Sequence, residues 1–531
     1  MGKDIVITMD QVAQFGASCG DRNPLHLDTD YGHTTPFGQT VVHGTLAAIA
    51  CLARLAAAPL AGMRELHMDF HQPVMPGTMY RLHLETDEQQ TAVRLRLGDM
   101  PVLSVVGSDQ ISVLDDRALE PVRNADEPEA SLPECWRSTA RVLDPETLAG
   151  VGLEEGSYRI DGCRMRALLK QLGAEAVPFH LVKVLSWASY WTGMHTPGRD
   201  ALLARVAVRL NRTSGSAPYA DSDHALYQVE RPSIHRRTGL VSLDAGLQLS
   251  GWAVNIAIDS LLRRCAPQAT CESGAQYLSP SNRLADKFMV VVGGSRGLGR
   301  AITLALVQQG ATVLVIHCQS PERVAEMQRN AGPNGHRILS LMRDASDIEA
   351  LVAALNAQAT SIDALILAAA PVIPSLPLHH STIGPCLRYV DQAVRLVWAP
   401  LAASVNWMKV GSALVVLSSS AVEEPPALWP HYVSAKMAIE GLARHAAKQW
   451  PWHVAIVRPP RLWREMSSGP TGAIGTIPVE LVAAHIASQL VAYQANNGIP
   501  SLVHQTTMLS ARDVALPVST LNSRDEQYAA R

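Results

Sequence analysis

From Val41 to about Gly62 the chain reads VVHGTLAAIACLARLAAAPLAG, rich in Ala and Leu with little polar surface, the pattern of a helix buried on most sides. The period then changes. In RELHMDFH, Leu66, Met68 and Phe70 alternate with His67, Asp69 and His71; in YRLHLE, Tyr80, Leu82 and Leu84 alternate with Arg81, His83 and Glu85; in TAVRLRL, Val93, Leu95 and Leu97 alternate with Arg94 and Arg96. Such alternation predicts half-buried antiparallel strands, separated here by the turn signals MPG (75–77) and GDMP (98–101). Residues 1–120 are therefore expected to form one apolar helix and a meander that can wrap it.

A fainter echo follows. VLSWASYWTGMHTPG (184–198) predicts a second central helix, ARVAVRL (204–210) alternates like a strand, and SIHRRTGLVSLDAGLQLSGWAVNIAI supplies more β-type sequence. Residues 130–265 are read as a repeat of 1–120. The acidic NADEPEASLPE (124–134) suits a linker, and the aperiodic, Pro- and Ser-containing stretch at 266–285 is the clearest one. Beyond it KFMVVV, ATVLVI, DALILAA, SALVVL and HVAIV recur between helical stretches, the signature of a parallel sheet buried on both faces. The expected fold is α+β over the first half and an α/β, doubly wound parallel sheet over 286–512, with a tail at 513–531.

Composition removes several function classes. With 47% hydrophobic and 18% charged residues in 531, the chain can bury several cores. A formal charge of -3 and scattered arginines give no reason to expect nucleic acid as a partner. Eight cysteines without C-x-x-C spacing signal neither a zinc knuckle nor a disulfide framework, which suits a reduced, cytoplasmic protein with no metal. The opening MGKDIVITMD has no export pattern, and the longest uncharged stretch, Ala364 to Leu387, is broken by Pro371, Pro374, Pro377 and Pro385, so no membrane span is expected.

After KFMVVV comes GGSRGLGRAITLAL, with Gly293, Gly297 and Gly299 spaced G-x-x-x-G-x-G at the opening of a helix. Glycines there permit a tight turn and let a pyrophosphate sit against free N–H groups at the helix N-terminus. The second strand ends in IHCQS, with no acid for a ribose 2′-hydroxyl, while Arg296 in the turn could meet a 2′-phosphate, which favours NADPH over NADH. Further on, YVSAK places Tyr432 and Lys436 on one helix face, where an ammonium can stabilise a phenolate and make the tyrosine a usable acid or base. VVLSSSA ends a strand with Ser418 to Ser420.

In order and spacing these features resemble the short-chain dehydrogenase/reductase family, over residues 286 to about 512, with a Rossmann-type fold. The resemblance implies that Tyr432 donates a proton to a carbonyl, Ser419 positions it, and Lys436 tunes the tyrosine and holds the nicotinamide ribose. It also implies cofactor contacts from Gly293, Ser295, Arg296, Gly297, Leu298 and Gly299, and from Asp344 at the adenine. The chain departs from the family pattern in four places. LAAA (367–370) stands where Asn-Asn-Ala-Gly is usual, Gln392 where an asparagine is found in the next helix, Val292 for Thr before the turn, and Pro459-Pro460 for Pro-Gly.

Near the start, GDRNPLHLD followed by FGQTVVHGTL resembles the MaoC-like, (R)-specific enoyl hydratase and dehydratase family, whose hot-dog fold wraps one long helix in an antiparallel sheet. The resemblance is close over 12–50 and extends to FHQPVMPGTMY (70–80). It implies that Asp21 and His26 are an acid/base pair, Asn23 orients them, Gly44 offers a backbone donor to a thioester carbonyl, and His43 orients the loop without chemistry of its own. Two titratable groups in one corner can take one proton and deliver another, as water loss from an acyl thioester requires. The repeat keeps no D-x-N-P-x-H and is read as the degenerate half of a double hot-dog that helps shape the acyl tunnel. AIDSLLRR (257–264) resembles a carrier-protein attachment site at Ser260, but its β-like surroundings argue for a strand.

Together the parts imply a bifunctional enzyme: NADPH-dependent reduction of a 3-ketoacyl thioester to the (R)-3-hydroxy form, then dehydration to the trans-2-enoyl product, on acyl carrier protein or CoA. The alternatives are hydration with NAD-dependent oxidation, and a dehydratase whose reductase-like half is a scaffold. By resemblance a homo-oligomer is expected.

Overall fold

The computed structural model describes residues 4–55, 60, 62–86, 90–110, 136–213, 223–318, 321–358, 361–470, 472–495 and 506–509. They form two units, Met1–Arg264 with Ser468–Thr471, and Cys265–Ser467 with Gly472–Arg531. The acidic stretch 124–134 and the tail 513–531 lie outside the described residues.

In the first unit the apolar run forms a helix over Gly44–Leu52, where Thr45 to Leu52 are all buried. It is shorter than the expected 41–62. Val41–His43 are extended and the chain turns at Ala53–Leu55, where the Arg54 guanidinium donates to Leu172 O (3.0 Å). A uniformly apolar run has no 3.6-residue period and so does not mark its own ends.

The strands β1 (Asp4–Ile5), β2 (Glu65–Phe70), β3 (Tyr80–Thr86), β4 (Gln90–Leu97) and β5 (Met100–Ser108) lie in the order β1-β3-β4-β5-β2. This corrects the expected meander. β5, which starts inside the stretch read as a turn, separates β2 from β3 and β4.

The second half holds β6 (Glu154–Arg159), β7 (Ala201–Arg212), β8 (His224–Val229), β9 (Ser233–His235), β10 (Leu240–Leu249) and β11 (Trp252–Leu262). Their order is β6-β8-β10-β11-β7, with β9 beside β10, so each strand of the first half has a counterpart in the same place. β2 and β7 pair antiparallel, Leu66 opposite Val208, and fuse the two halves into one sheet. The second central helix begins at Phe179, ahead of the expected 184, and its last residue, Tyr190, leads into a π-turn over Trp191–His195. One core of side chains runs through both halves, including Phe15, Leu46, Met68, Trp187, Val206 and Ile256. Truncating any of these to Ala costs about 2–5 kcal/mol. Ser260 lies on β11, 1% exposed, with its hydroxyl donated to Val241 O (3.3 Å). It is a core residue and closed to modification.

The second unit is the doubly wound sheet. β12 (Phe288–Val292), β13 (Thr312–His317), β14 (Ile338–Met342), β15 (Ile362–Leu367), β16 (Met408–Leu417), β17 (His453–Val457) and β20 (Thr506–Leu509) are parallel in the order β14-β13-β12-β15-β16-β17-β20. The short β18 (Leu462–Trp463) and β19 (Ile477–Pro478) pair separately. Strand order reverses between β12 and β15, and the crevice at that switch point is where such sheets take ligands. The segment expected to be a linker is part of this unit. Thr270 caps a short helix, Cys271–Ala275, in a capping box, and Arg300 and Gln308 donate to Ala269 O and Cys271 O (2.9 and 2.8 Å). Its polarity, which resembled a linker, is spent on capping. Among the described residues, no helix is long and apolar enough to cross a membrane.

Candidate functional sites

The helix Met9–Cys19 ends at Gly20 in the left-handed conformation (φ 80°), and Asp21 follows, 1% exposed. Its carboxylate accepts from the Asn23 N–H (Oδ1, 3.1 Å) and from the Ser189 hydroxyl (Oδ2, 2.7 Å). Ser189 belongs to the second central helix. Asn23 caps the turn Pro24–Leu27 through its Oδ1 and donates its amide to Gly193 O (2.9 Å) and Arg199 O (3.2 Å). Asn23 therefore pins the corner to the second half. Gly193 has to be glycine, since an added Cβ would lie 2.6 Å from Asp21 Oδ1.

His26 donates Nδ1–H to Val41 O (2.8 Å), because a carbonyl can only accept. That sets the tautomer and leaves Nε2 with a lone pair. Burial holds the His26 pKa below the usual imidazole value and raises that of the Asp21 carboxyl, with each partner's charge opposing the other's shift. Both groups are thus drawn toward their neutral forms, as a pair exchanging one proton needs.

His43 lies under His26, rings stacked at 3.8 Å and 27°, with its Nε2–H donated to Asp21 O (3.3 Å). It is fully buried, and burial followed by the His26 charge holds it neutral. Donor atoms of Asp21, His26 and His43 lie within 4.8 Å of one another, the one such group among the described residues. As a metal site the trio is poor. The donated protons take up His26 Nδ1 and His43 Nε2, and the other His43 nitrogen is on the ring edge away from Asp21, which leaves two ligands where zinc takes three or four.

Gly44 opens the first central helix. No side chain caps that helix, so its first N–H groups remain available, and Gly44 is the least buried residue of the stretch 41–50. A Cβ at Gly44 would lie 2.8 Å from the Phe70 ring.

In the second unit the glycine turn joins β12 to the helix Gly297–Gln308. Gly293 takes φ 77°, and a Cβ on it would strike the Ala369 backbone at 2.7 Å; one on Gly299 would meet Gly293 O at 2.1 Å. A side chain at either position would fill the cradle, as expected of a turn against which a pyrophosphate rests. Beside it is a small cavity lined by Ser295, Arg296 and Gly297 together with Arg323, Trp463 and Arg464. The last three were not found from sequence. Leu298 is buried in the helix's first turn. Asp344 is exposed after β14, its carboxylate accepting from the Ser346 N–H and hydroxyl (2.9 Å each).

At the end of β16, Ser418 is committed to Glu440 (2.6 Å), which leaves Ser419 half-buried at the strand end, its Oγ accepting from Ala421 N–H (3.2 Å). Tyr432 and Lys436 sit one turn apart on the helix Pro430–Gln449. Lys436 is buried, donates to Leu417 O (2.7 Å) and lies 5.7 Å from the Tyr432 ring centre. Burial and then the nearby Arg464 charge push its pKa down to about 8.

Gln392 needs correction. On the helix Ile383–Ser404 the buried row is Tyr389, Ala393, Val397 and Leu401, so Gln392 faces outward and Ala393 takes the inward position. Tyr389 and Ala393 pack with Tyr432 and Ile373 in one apolar cluster. No amide from this helix supports the lysine.

Known proteins resemble both parts of the chain. Residues 287–465 match the family model described as short chain dehydrogenase, and residues 2–104 match that of the MaoC like domain. A short-chain dehydrogenase/reductase of a Cladobotryum species is 28% identical over 170 residues, covering 32% of this chain and 66% of that protein. The 3-oxoacyl-(acyl-carrier-protein) reductase of Vibrio harveyi is 36% identical over 83 residues, 16% of this chain and 34% of its own length. The chain thus spans less than two thirds of each. A solved short-chain dehydrogenase/reductase from Serratia marcescens is 23% identical, with a TM-score of 0.39, covering 44% of this chain and 99% of that one. The chain joins a MaoC-like domain at its N-terminus to a short-chain dehydrogenase domain toward its C-terminus.

Proposed function

We propose that the protein is a bifunctional acyl-thioester enzyme that reduces a 3-ketoacyl group with NADPH and dehydrates the (R)-3-hydroxy product to the trans-2-enoyl thioester, in fatty-acid or polyketide-type biosynthesis. The observation that carries the reading is the corner of Asp21 and His26: a neutral imidazole with a free Nε2 beside a carboxyl whose pKa burial raises. In the dehydration, His26 Nε2 takes the C2 proton of the hydroxyacyl group and Asp21 protonates the departing hydroxyl. The Gly44 N–H, at an uncapped helix start, donates to the thioester oxygen and stabilises the negative charge that develops there. Asn23 and Ser189 hold Asp21 in place. The matching strand orders of the two halves support a double hot-dog whose second copy serves the site in the first.

For the reduction, the glycine cradle, the switch-point crevice and the arginine-lined cavity fit a nicotinamide dinucleotide, which supplies hydride when bound. Gly293, Ser295, Arg296, Gly297, Leu298, Gly299 and Asp344 would hold it, Tyr432 would give the carbonyl its proton, Ser419 would orient that carbonyl and Lys436 would tune the phenol. The absence of an acidic residue in IHCQS at the end of β13 and the presence of Arg296 support NADPH. The acyl group would arrive on carrier protein or CoA. Exposed Ile383, Leu387 and Trp398 on one helix support a homo-oligomer.

Incubation with an acetoacetyl thioester and NADPH, followed by mass spectrometry, should give hydroxybutyryl and then crotonyl product. Strong NAD preference with hydroxyacyl-CoA oxidation would instead mark the reverse, degradative direction. Ketone reduction should fall as pH rises through about 8, where the Lys436 ammonium loses its proton. The inward Ala393 favours a second reading, a nucleotide-binding domain without reductase activity. Tyr432→Phe separates the two: a reductase loses most of its rate, and a scaffold has no ketone-reducing rate to lose.

A further inference from the structure

Lys436 is a buried ammonium whose one acceptor among the described residues is Leu417 O (2.7 Å). The helix Ile383–Ser404 gives it no amide, since Gln392 faces outward and Ala393 inward. Few charged or titratable groups surround it. Arg464, in the segment after β18, repels it; Tyr432 lies one turn back on its own helix, and Glu440 one turn on. Burial and Arg464 both push the ammonium toward its neutral form, and Glu440 supplies the opposing charge. Glu440 is itself buried, and its carboxylate is fully engaged. Its Oε1 accepts from the Ser418 hydroxyl (2.6 Å) and Arg458 Nε (2.7 Å), and its Oε2 from Arg458 Nη2 (2.6 Å) and Arg444 Nη2 (3.4 Å). Burial favours its protonation, but the bonds from Arg458 and Ser418 and the two arginine charges hold the carboxyl below its usual range.

A carboxylate in a protein interior is costly unless paired and hydrogen-bonded, and here the pairing is bidentate and joins four elements. Arg458 follows β17, and its third nitrogen, Nη1, donates to Glu423 (2.6 Å) beside the turn Ser420–Val422. Through the Ser418 hydroxyl the same carboxylate grips the end of β16, where the Ser418 N–H also donates to Val457 O (2.7 Å). Ser418 is flanked by Leu417, which holds Lys436 through its carbonyl, and by Ser419. We propose that Glu440, clamped by Arg458, is a positioning residue for ketone reduction: it is the counter-charge that keeps the Lys436 ammonium in the site, and through Ser418 it fixes the strand end that presents Ser419. The inference rests on reading this unit as a reductase. A carboxylate and an ammonium four residues apart share one helix face and stabilise each other. Glu440 thus gives the lysine by charge the support that the outward Gln392 does not.

The test is the pH profile of acetoacetyl-thioester reduction with NADPH by the full chain, unaltered and as Glu440→Gln, Glu440→Asp and Arg458→Gln, each with its thermal unfolding checked. Beside it, the Lys436 titration is read by NMR on chain carrying isotope-labelled lysine, with the resonance assigned through Lys436→Met. Glu440→Gln keeps a bond to Ser418 and removes the charge, so the alkaline fall in rate and the lysine titration should both move about one pH unit lower. Arg458→Gln leaves Glu440 charged beside Arg444 with one cation fewer, so both should move higher. Glu440→Asp keeps the charge and should stay near the original value of about 8. Loss of an ion pair that only braces the fold would move both partners' variants the same way. If Glu440→Gln fails to fold, the upward move of Arg458→Gln decides alone. Movement of the two in one direction, or no movement in either, would overturn the proposal. Lysine shifts of the expected signs in a chain that reduces no ketone would overturn the reductase reading instead.

Discussion

The two halves of the first unit follow one plan up to a point and then part. The helix Met9–Cys19 ends at Gly20 (φ 80°) and the helix Gly162–Leu172 at Gly173 (φ 63°), both left-handed. Asp21 follows the first and Ala174 the second. The central helices are then entered through His43 (φ -56°, ψ 127°) and Pro178 (φ -55°, ψ 129°), nearly the same backbone. Between those points the first half has residues 22–42, with Asn23, His26 and Tyr31, and the second half only Glu175, Ala176 and Val177. Where Gly44 leaves a helix start open, Phe179 fills it and stacks under Arg166 (4.3 Å). The difference teaches that the fold is held by what the halves share, and that the proposed chemistry rests on one insertion and one missing side chain.

The insertion is moored to the other half. Besides Asn23, Tyr31 donates its hydroxyl to Asp200 (2.7 Å), which also pairs with Arg263 and Arg199 (3.0 Å each). The second half therefore holds in place the segment that carries Asp21 and His26.

The strongest way to break the comparison is Asp21→Asn and His26→Ala. Each should lower hydration of a crotonyl thioester by roughly 10²–10⁴-fold and leave ketone reduction intact, as measured by separate steady-state assays. Hydration surviving both changes would mean that the first half is not the working one. Ser189→Ala tests the second half's contribution. Loss of its hydrogen bond to a neutral carboxyl should cost about 0.5–1.5 kcal/mol, a rate loss of roughly two- to tenfold, and an unchanged rate would reduce that half to scaffolding.

Acid should separate the halves more gently. His43 is buried neutral with a folded pKa below its unfolded one, so its contribution to stability is present above about pH 6.5 and is lost as pH falls through the folded value. Unfolding curves at neutral and acidic pH should show this loss, and His43→Phe should reduce it. Pro178, at the matching place, has nothing to titrate. The smallest effect is expected from Arg166→Gln: about 0.5–1 kcal/mol of stability through the lost cation–π contact with Phe179, with hydration unchanged.

Legibility in the sequence followed distance along the chain. Asp21, Asn23, His26 and Gly44 share one short segment, and the strands β2, β3, β4, β7, β12, β13, β15, β16 and β17 show their alternation or apolar runs locally, whereas β14 and β20 at the sheet's edges do not. Ser189 and Gly193 reach Asp21 and Asn23 from 168 and 170 residues away, and no local spacing encodes that. Arg323, Trp463 and Arg464 were hidden for the same reason. β5 was lost because a tight turn was read too long. The outward placement of Gln392 was readable after all: Tyr389, Ala393, Val397 and Leu401 mark a row four residues apart, and a glutamine beside that row faces away from it.

Pairing of β2 with β7 makes two halves out of one polypeptide, and this fixes an inventory. Two separate identical subunits would have to carry the same loop, and losing it from one would lose it from both. Joined in a single chain, one half can shed the loop while its partner keeps it. An affinity label directed at the His26 imidazole should accordingly saturate at one equivalent per chain, whatever the number of chains in the assembly.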